Sequence, residues 1–593
     1  MKLEKKITYK QLEYLLTCQK YFVWHNNFEL DLQNLEIDDE NNLSDSFWEI
    51  LSDFDIDQLE EYQYIEIIKT GYDLVQKLFI KQIQKTFKDK NIYIINEKKQ
   101  EQAFQKTMEI LNDPKIDIII NPTFIYNDMI SKPSIYDKTN QSLSTLLHSS
   151  KSKLKNYIRA YFDYNVCQKL NIVVNEYLFY TYDNTKDYYQ SNDLSFISSA
   201  YCWTQKNGPS NGIKKTLKES SKDTIINKLI SGKIKTINKK VIDPITNKKV
   251  SKEVIENSLY LEDFDHYIDE IRKAHSIKKY HETSKEDLTS WGANENFIKI
   301  FNFDKYNIKP CSGNVLSKKE LLELSYSKKT LEDFVKVNLP LKYILNNEIK
   351  IDYEICKKGY IDKIKSSKVV WYDFEGFSMP YVILPHTKPY QQLIFQVSII
   401  ITENEEIIYT KNHVIDPQNI SVDHFIEIID LIYQQDANHY VVYNKNYELS
   451  KIKDMINLIK YNDDKIYSQY KHKFEEIKDK TIDLNDLFMC KSKDKIPLVF
   501  IPDLWGFSSI KKIENYITNS KINLPIMISP YKSLKVQNGL MAMNKAIQRY
   551  LLAIGDKEWN KVVEDLKIYC ENDVKAMIMV YYFVKELLDR NEH

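Results

Sequence analysis

The sequence predicts an α/β protein of several domains that ends in a mixed sheet packed by helices. Three observations carry this expectation. At 593 residues the chain exceeds what one hydrophobic core organises, and about three or four domains of ordinary size are expected. Apolar residues make up 43% and aromatics 13%, ample material for buried cores. From Ser367 onward, short apolar runs alternate with amphipathic helical patterns, the mark of strands and helices packed in layers.

The N-terminal part, residues 1–206, mixes both patterns. ITYKQLEYLLTCQKYFVW, Ile7 to Trp24, places Leu12, Leu15, Leu16 and Phe22 near helical spacing behind a candidate cap, Thr8. IYIINEK, DIIINPTFIYND and NIVVNEYLFYTY read as strands, and Leu154 to Leu170 as a helix between the last two. In residues 207–365 the character changes. Gly208 and Gly212 bracket Pro209, a lysine-rich stretch follows, and VIDPITNKKV supplies turn chemistry for a linker or inserted hairpin. That lysine density is either a solvated surface or a phosphate-contacting arm. Residues 253 to 365 read as a mostly helical connector.

Residues 366–593 give the clearest pattern. KVVWYDFEGF, QLIFQVSIIITE and EEIIYTKNHVID read as three strands, VDHFIEIIDLIYQQ as a helix, HYVVYN as a fourth strand and YELSKIKDMINLIKY as a further helix. A long amphipathic helix, EWNKVVEDLKIYCENDVKAMIMVYYFVKELLDR, closes the chain.

Composition narrows the function. The 83 basic and 84 acidic residues nearly cancel to a net charge of -1, so any surface for a polyanion is local. Almost all the basic residues are Lys, with Arg only at 159, 272, 549 and 590. Cys18, Cys167, Cys202, Cys311, Cys356, Cys490 and Cys570 lie far apart without a CxxC pair, as reduced cytosolic thiols do. The charged opening MKLEKKITYKQLEYLL and the absence of a run of about 18 to 20 apolar residues lead us to expect a soluble cytoplasmic protein with no membrane partner. No GxxxxGK[ST] pattern occurs, so no nucleoside triphosphate is expected as a partner.

The candidate chemistry lies in four carboxylates. Asp373 and Glu375 end the apolar run VVWYDFE two residues apart, on the same face of a strand. About twelve acidic pairs at this spacing are expected by chance in such a composition. These two differ in ending a strongly apolar strand, where a charge incurs a desolvation cost unless a cation or partner offsets it. Glu448 follows another apolar strand where a helix begins; it either complements the helix dipole or faces the same site. Tyr569 and Asp573, four apart, share a helical face.

In order and context these residues resemble the DEDDy group of 3'-to-5' exonucleases, with the ribonuclease H-like fold of proofreading domains. The three motifs of that group match Asp373-Phe374-Glu375, Asn444 to Glu448 and Tyr569 to Asp573, with Glu448 where that group usually has aspartate. A resemblance over nearly the whole chain is to a bacterial family, domain of unknown function 2779. It is carried by Asp373-Phe374-Glu375, PYQQLIFQVS from Pro389 to Ser398, YNKNYE from Tyr443 to Glu448, GFSSIK from Gly506 to Lys511 and YCEND from Tyr569 to Asp573. In that family the glutamate at the second motif is usual.

The resemblance implies an exonuclease acting on DNA or RNA 3' ends. Asp373, Glu375, Glu448 and Asp573 would hold two Mg²⁺ or Mn²⁺ ions, and Tyr569 would orient or deprotonate the attacking water. The alternative is a catalytically inactive nucleic-acid-binding scaffold built from two nuclease-like folds. Gln396 and Asn444 are candidates for substrate contact, Lys511 for a phosphate and Phe374 for stacking on a base. Each has a plainer reading: a backbone partner for Gln396, a surface-covering stem for Lys511 and a core ring for Phe374. The N-terminal half is similar to PD-(D/E)XK nucleases, with Asp137 as the match to their metal-binding aspartate. In LLHSSKSK, Leu146 and His148 stand at the expected Glu and Lys places, so the resemblance implies a degenerate, non-cutting domain.

Overall fold

The computed structural model describes residues 6–16, 62–150, 152, 154–201, 224–231, 233–242, 249–258, 263–276, 335–336, 338–491, 495–504 and 506–591. These form a mixed α/β protein of two compact units. One comprises residues 1–187 and 191–297, the other residues 188–190 and 298–593. No helix among the described residues is long and apolar enough to cross a membrane.

The first unit is built on a six-stranded sheet in the order Ile92–Ile94, Ile118–Ile120, Ile135–Asp137, Ser142–Leu146, Glu176–Tyr182, Phe196–Ser199. Ser142–Leu146 and Glu176–Tyr182 run parallel, which requires a crossover. The helix Leu154–Lys169 makes it. The N-terminal helix Tyr9–Leu16 starts as the sequence suggests. Thr8 Oγ1 accepts from the Lys10 N–H at 3.4 Å, and Gln11 Oε1 accepts from the Thr8 N–H at 2.9 Å, so the Thr8 side chain takes up one of the first-turn N–H groups. The rest of that helical expectation, residues 17–24, lies outside the described residues. The inserted hairpin is present: Lys233–Ile242 and Lys249–Ser258 pair antiparallel with Ile242 opposite Lys249. Its turn, residues 243–248, lies outside the described residues. So do Gly208, Pro209, Gly212, Cys18, Cys202, Cys311 and the connector residues 277–334.

The second unit holds a five-stranded sheet, ordered Glu406–Val414, Leu393–Glu403, Lys368–Phe377, His439–Val442, Thr481–Asp483. The first three pair antiparallel, and the last two extend the sheet in parallel with Lys368–Phe377. Every strand expected from the alternation is present. Thr481–Asp483 was not expected, because three residues between helices carry no periodic signal. The apolar stripe of the C-terminal helix Asp556–Asn591 buries Leu566, Cys570, Val574, Met577 and Tyr581, one to every turn. Tyr581 meets Trp371 of the central strand at 6.0 Å between ring centroids, and the Trp371 Nε1–H donates to Thr402 Oγ1 at 2.9 Å.

Candidate functional site

The central strand Lys368–Phe377 outruns its parallel neighbour. Pairing with His439–Val442 ends at Trp371 opposite Val441, so Asp373 and Glu375 project beyond it, at the carboxyl end of the parallel strands, where open α/β sheets form their binding crevices. On the other side the antiparallel ladder continues, with Asp373 opposite Ser398 and Glu375 opposite Gln396. A register irregularity follows between Glu375 and Gly376. Such bulges re-aim side chains beside functional sites. A Cβ at Gly376 would come within 2.7 Å of Gln392 Cγ, so the Gln392 side chain would have to shift.

Glu448 arrives from the neighbouring strand. After Val442 the chain turns through Asn444, in the left-handed region at φ 87°, which caps the helix Lys445–Asn462 by accepting from the Tyr447 N–H. Asp483 at the end of the fifth strand accepts from the Asn444 and Lys445 N–H groups at 3.0 and 2.8 Å. With the first N–H groups thus satisfied, Glu448 is set in the first turn, 2% exposed. Its Oε2 has no hydrogen-bond partner among the described residues. A side chain serving only the helix dipole would keep its charge in water, so the dipole reading alone does not account for this burial.

Tyr569 and Asp573 come from the C-terminal helix, on the stripe that packs against the sheet. The strand is fastened to that helix by Gln396, whose Nε2–H donates to the Leu566 carbonyl at 2.7 Å. Carboxylate oxygens of Asp373, Glu375 and Asp573 all lie within 4.8 Å of one another. Glu448 is not one of that triad, but Asp373 and Glu375 are the neighbouring charges that most raise its pKa.

The electrostatics follow from crowding acids out of water. Burial, then Asp573, pushes the Asp373 carboxyl well above the usual range, against the Phe374 N–H and Lys511. Burial, then Asp373 and Asp573, does the same to Glu375. Burial raises Asp573, while Lys511 and hydrogen bonds from Tyr531 and Tyr569 oppose it. Burial also drives the Tyr569 phenol well up, so it stays neutral and suits orientation rather than proton abstraction. Lys511 Nζ donates to the Gln537 carbonyl at 3.1 Å and lies 4.8 and 5.6 Å from the ring centroids of Tyr531 and Tyr569.

Residues 370–509 match the family described as "Domain of unknown function (DUF2779)". The matched span contains Asp373, Glu375 and Glu448 and ends before Lys511 and the C-terminal helix. The chain is 28% identical over 602 residues to "Uncharacterized protein UU173" of Ureaplasma parvum, covering 88% of this chain and 84% of that protein. It is 28% identical over 574 residues to "Uncharacterized protein MG366" of Mycoplasma genitalium, covering 85% and 83%. It is also 31% identical over 237 residues to the "Uncharacterized protein MG366 homolog" of Mycoplasma pneumoniae, covering 39% of this chain and 34% of that one. No solved structure matches.

The residues softly assigned to substrate contact take different positions. Phe374 is 3% exposed and packs against Tyr372 at 5.4 Å, so its ring belongs to the core and is not offered to a base. Gln396 is 0% exposed; its Nε2–H is on helix backbone, while its Oε1 has no hydrogen-bond partner among the described residues. Asn444 is exposed, and its side chain serves as the helix cap. The sequence reading missed Tyr531, whose hydroxyl donates to Asp573 Oδ1. It also missed Gly539, where a Cβ would lie 3.3 Å from Glu375 Oε2. Cys570 brings its thiol within 3.7 Å of the Asp373 carbonyl.

In the first unit, the Asp137 carboxylate is engaged by Lys90 Nζ at 2.8 Å, by the N–H groups of Thr139 and Asn140, and by Asn140 Nδ2. Leu146 is buried. His148 is held neutral, its pKa lowered to about 3 by burial and then by Arg159.

Proposed function

We propose that the second unit is a metal-dependent 3'-to-5' exonuclease that hydrolyses phosphodiester bonds at nucleic-acid 3' ends. The observation that carries the reading is the gathering of three carboxylates from two distant segments of the chain, with a fourth, Glu448, buried beside them and one of its oxygens unpartnered among the described residues. Several buried acids with so little cationic compensation are costly to leave ionised. Hard oxygen donors at this density fit Mg²⁺ or Mn²⁺, and Gly539 leaves the Glu375 carboxylate unobstructed on one side. Asp373, Glu375, Glu448 and Asp573 would hold two such ions. When bound, the pair supplies an activated water and stabilises charge on the phosphoryl group and its leaving oxygen.

The chain's own groups account for the rest. The neutral Tyr569 phenol orients a water by hydrogen bonding. The Lys511 ammonium, steadied over two phenol rings, faces the developing negative charge on a phosphate. The mixed sheet, with its acids at the end of the central strand, agrees with the ribonuclease H-like resemblance. The first unit is read as non-cutting: its candidate metal-binding aspartate, Asp137, is satisfied by a lysine and three N–H donors, and Leu146 and His148 stand where such a nuclease needs its Glu and Lys.

The test is purified protein with end-labelled single- and double-stranded DNA and RNA, with Mg²⁺ or Mn²⁺, beside Asp373→Ala and Asp573→Ala. Stepwise 3' shortening that either substitution abolishes supports the reading. Metal-independent binding without cleavage would instead favour the inactive scaffold.

A further inference from the structure

We infer that Tyr531 is a positioning residue for Asp573, resting on the two-ion reading above. Tyr531 lies in the short 3₁₀ turn Tyr531–Ser533, far in sequence from every motif of the site. Its side chain is 7% exposed, and its hydroxyl donates to Asp573 Oδ1. A buried tyrosine needs an acceptor, and many carbonyls serve that need. Here the acceptor is a carboxylate of the acidic triad.

The turn is held in place for this contact. Asn572, the residue before Asp573, accepts from the Ser529 N–H at 3.1 Å and donates through Nδ2 to the Ser529 carbonyl at 3.1 Å. This two-bond clasp fixes the segment carrying Tyr531 to the helix position that carries Asp573. The ring of Tyr531 packs edge-on to Tyr569 at 6.2 Å and lies under the Lys511 ammonium at 4.8 Å, within reach of a cation–π attraction. One side chain thus touches the third acid, the candidate water-orienting phenol and the candidate phosphate-facing lysine.

The physical consequence is preorganisation. Asp373 and Asp573 repel when both are ionised, and a carboxylate on a free rotamer would swing away. A neutral donor fixed on Oδ1 holds its direction without cancelling its charge. Hydrogen-bonded supports of ligating carboxylates contribute about 10- to 100-fold to metal affinity. Tyr531 acts through Asp573 and contacts neither ion nor substrate.

The test is Mn²⁺ titration of the full-length protein by calorimetry, wild type beside Tyr531→Phe, with thermal melts and steady-state kinetics on a 3'-labelled strand. The phenylalanine keeps the ring, so the melt should stay near wild type. The expected result is Mn²⁺ affinity lower by about 10- to 100-fold, with kcat reduced and KM for the nucleic acid unchanged. Wild-type Mn²⁺ affinity and kcat in Tyr531→Phe would overturn the inference. If Tyr531→Phe fails to fold, Asn572→Ala, which releases the Ser529 clasp and leaves the phenol intact, should weaken Mn²⁺ binding in the same direction. Unchanged binding in that variant would also overturn it. Absence of Mn²⁺ binding by the wild type would identify the two-ion reading itself as the failure and remove this inference with it.

Discussion

Gln396 on the second strand of the five-stranded sheet donates to the backbone carbonyl of Leu566 at 2.7 Å, three residues before Tyr569. This bond crosses from sheet to helix in a region without solvent, so it sets how far the C-terminal helix slides along the sheet. Gln396→Leu removes this bond but also a buried amide oxygen unpartnered among the described residues, so unfolding free energy, read from urea denaturation, should change by no more than about 1 kcal/mol. The substitution should lower turnover, because Tyr569 and Asp573 lose their alignment with Asp373. Full turnover in this variant would separate the bond from the site.

Glu448 tests whether the buried acids exist for cations. Glu448→Gln keeps shape and removes charge. Metal-free protein should melt higher in this variant, since a repelling buried carboxylate is gone, while Mn²⁺ affinity and cleavage fall. Equal Mn²⁺ affinity in the variant would limit Glu448 to a structural role.

The pH dependence has a defined sign. Asp373, Glu375, Glu448 and Asp573 all have folded pKa values raised above the ordinary carboxylate range, by burial first in each case. The folded state therefore binds more protons than the unfolded chain above pH about 4. Metal-free stability is full below that point and declines as pH rises through the raised folded values. Denaturant melts in a chelator at pH 5 and pH 8 should show lower stability at pH 8. Saturating Mn²⁺ should shrink or reverse the difference, because metal favours the ionised carboxylates. A metal-free protein more stable at pH 8 would contradict the electrostatic account.

Gly539 begins the helix Gly539–Tyr550, and its missing side chain makes room for Glu375. Gly539→Ala would place a methyl 3.3 Å from Glu375 Oε2, tight enough to shift that carboxylate by a few tenths of an ångström. Global stability should stay within about 0.5 kcal/mol, whereas Mn²⁺ affinity should drop. Calorimetric titration of this variant against wild type checks it.

The contrast between Asp373 and Tyr531 shows what was legible in the sequence. Asp373 and Glu375 stand at the end of an apolar strand, where two charges are conspicuous, and Tyr569 and Asp573 interrupt an otherwise apolar helical stripe. Tyr531 carries no such signal. It is one of 43 tyrosines, and its role depends on a turn that Asn572 clasps from 43 residues away. Thr481–Asp483 was illegible for a similar reason: a three-residue strand exists only because Tyr440 and Val441 present an open edge to it. Glu448 was readable as a helix-start acid, but its burial arises from packing. Phe374 and Gln396 read as candidates for substrate contact because they flank the acids in sequence or across the sheet, and strand alternation with helix packing turned both inward.

The proposed function requires that the four acids share divalent cations. Its most direct measurement is an anomalous difference map from crystals of the full chain soaked in Mn²⁺. Two peaks bounded by Asp373, Glu375, Glu448 and Asp573 are expected, both absent in crystals of Asp373→Asn. A soaked wild-type crystal with these carboxylates ordered and no peak between them, or with Mn²⁺ bound only elsewhere, would contradict it.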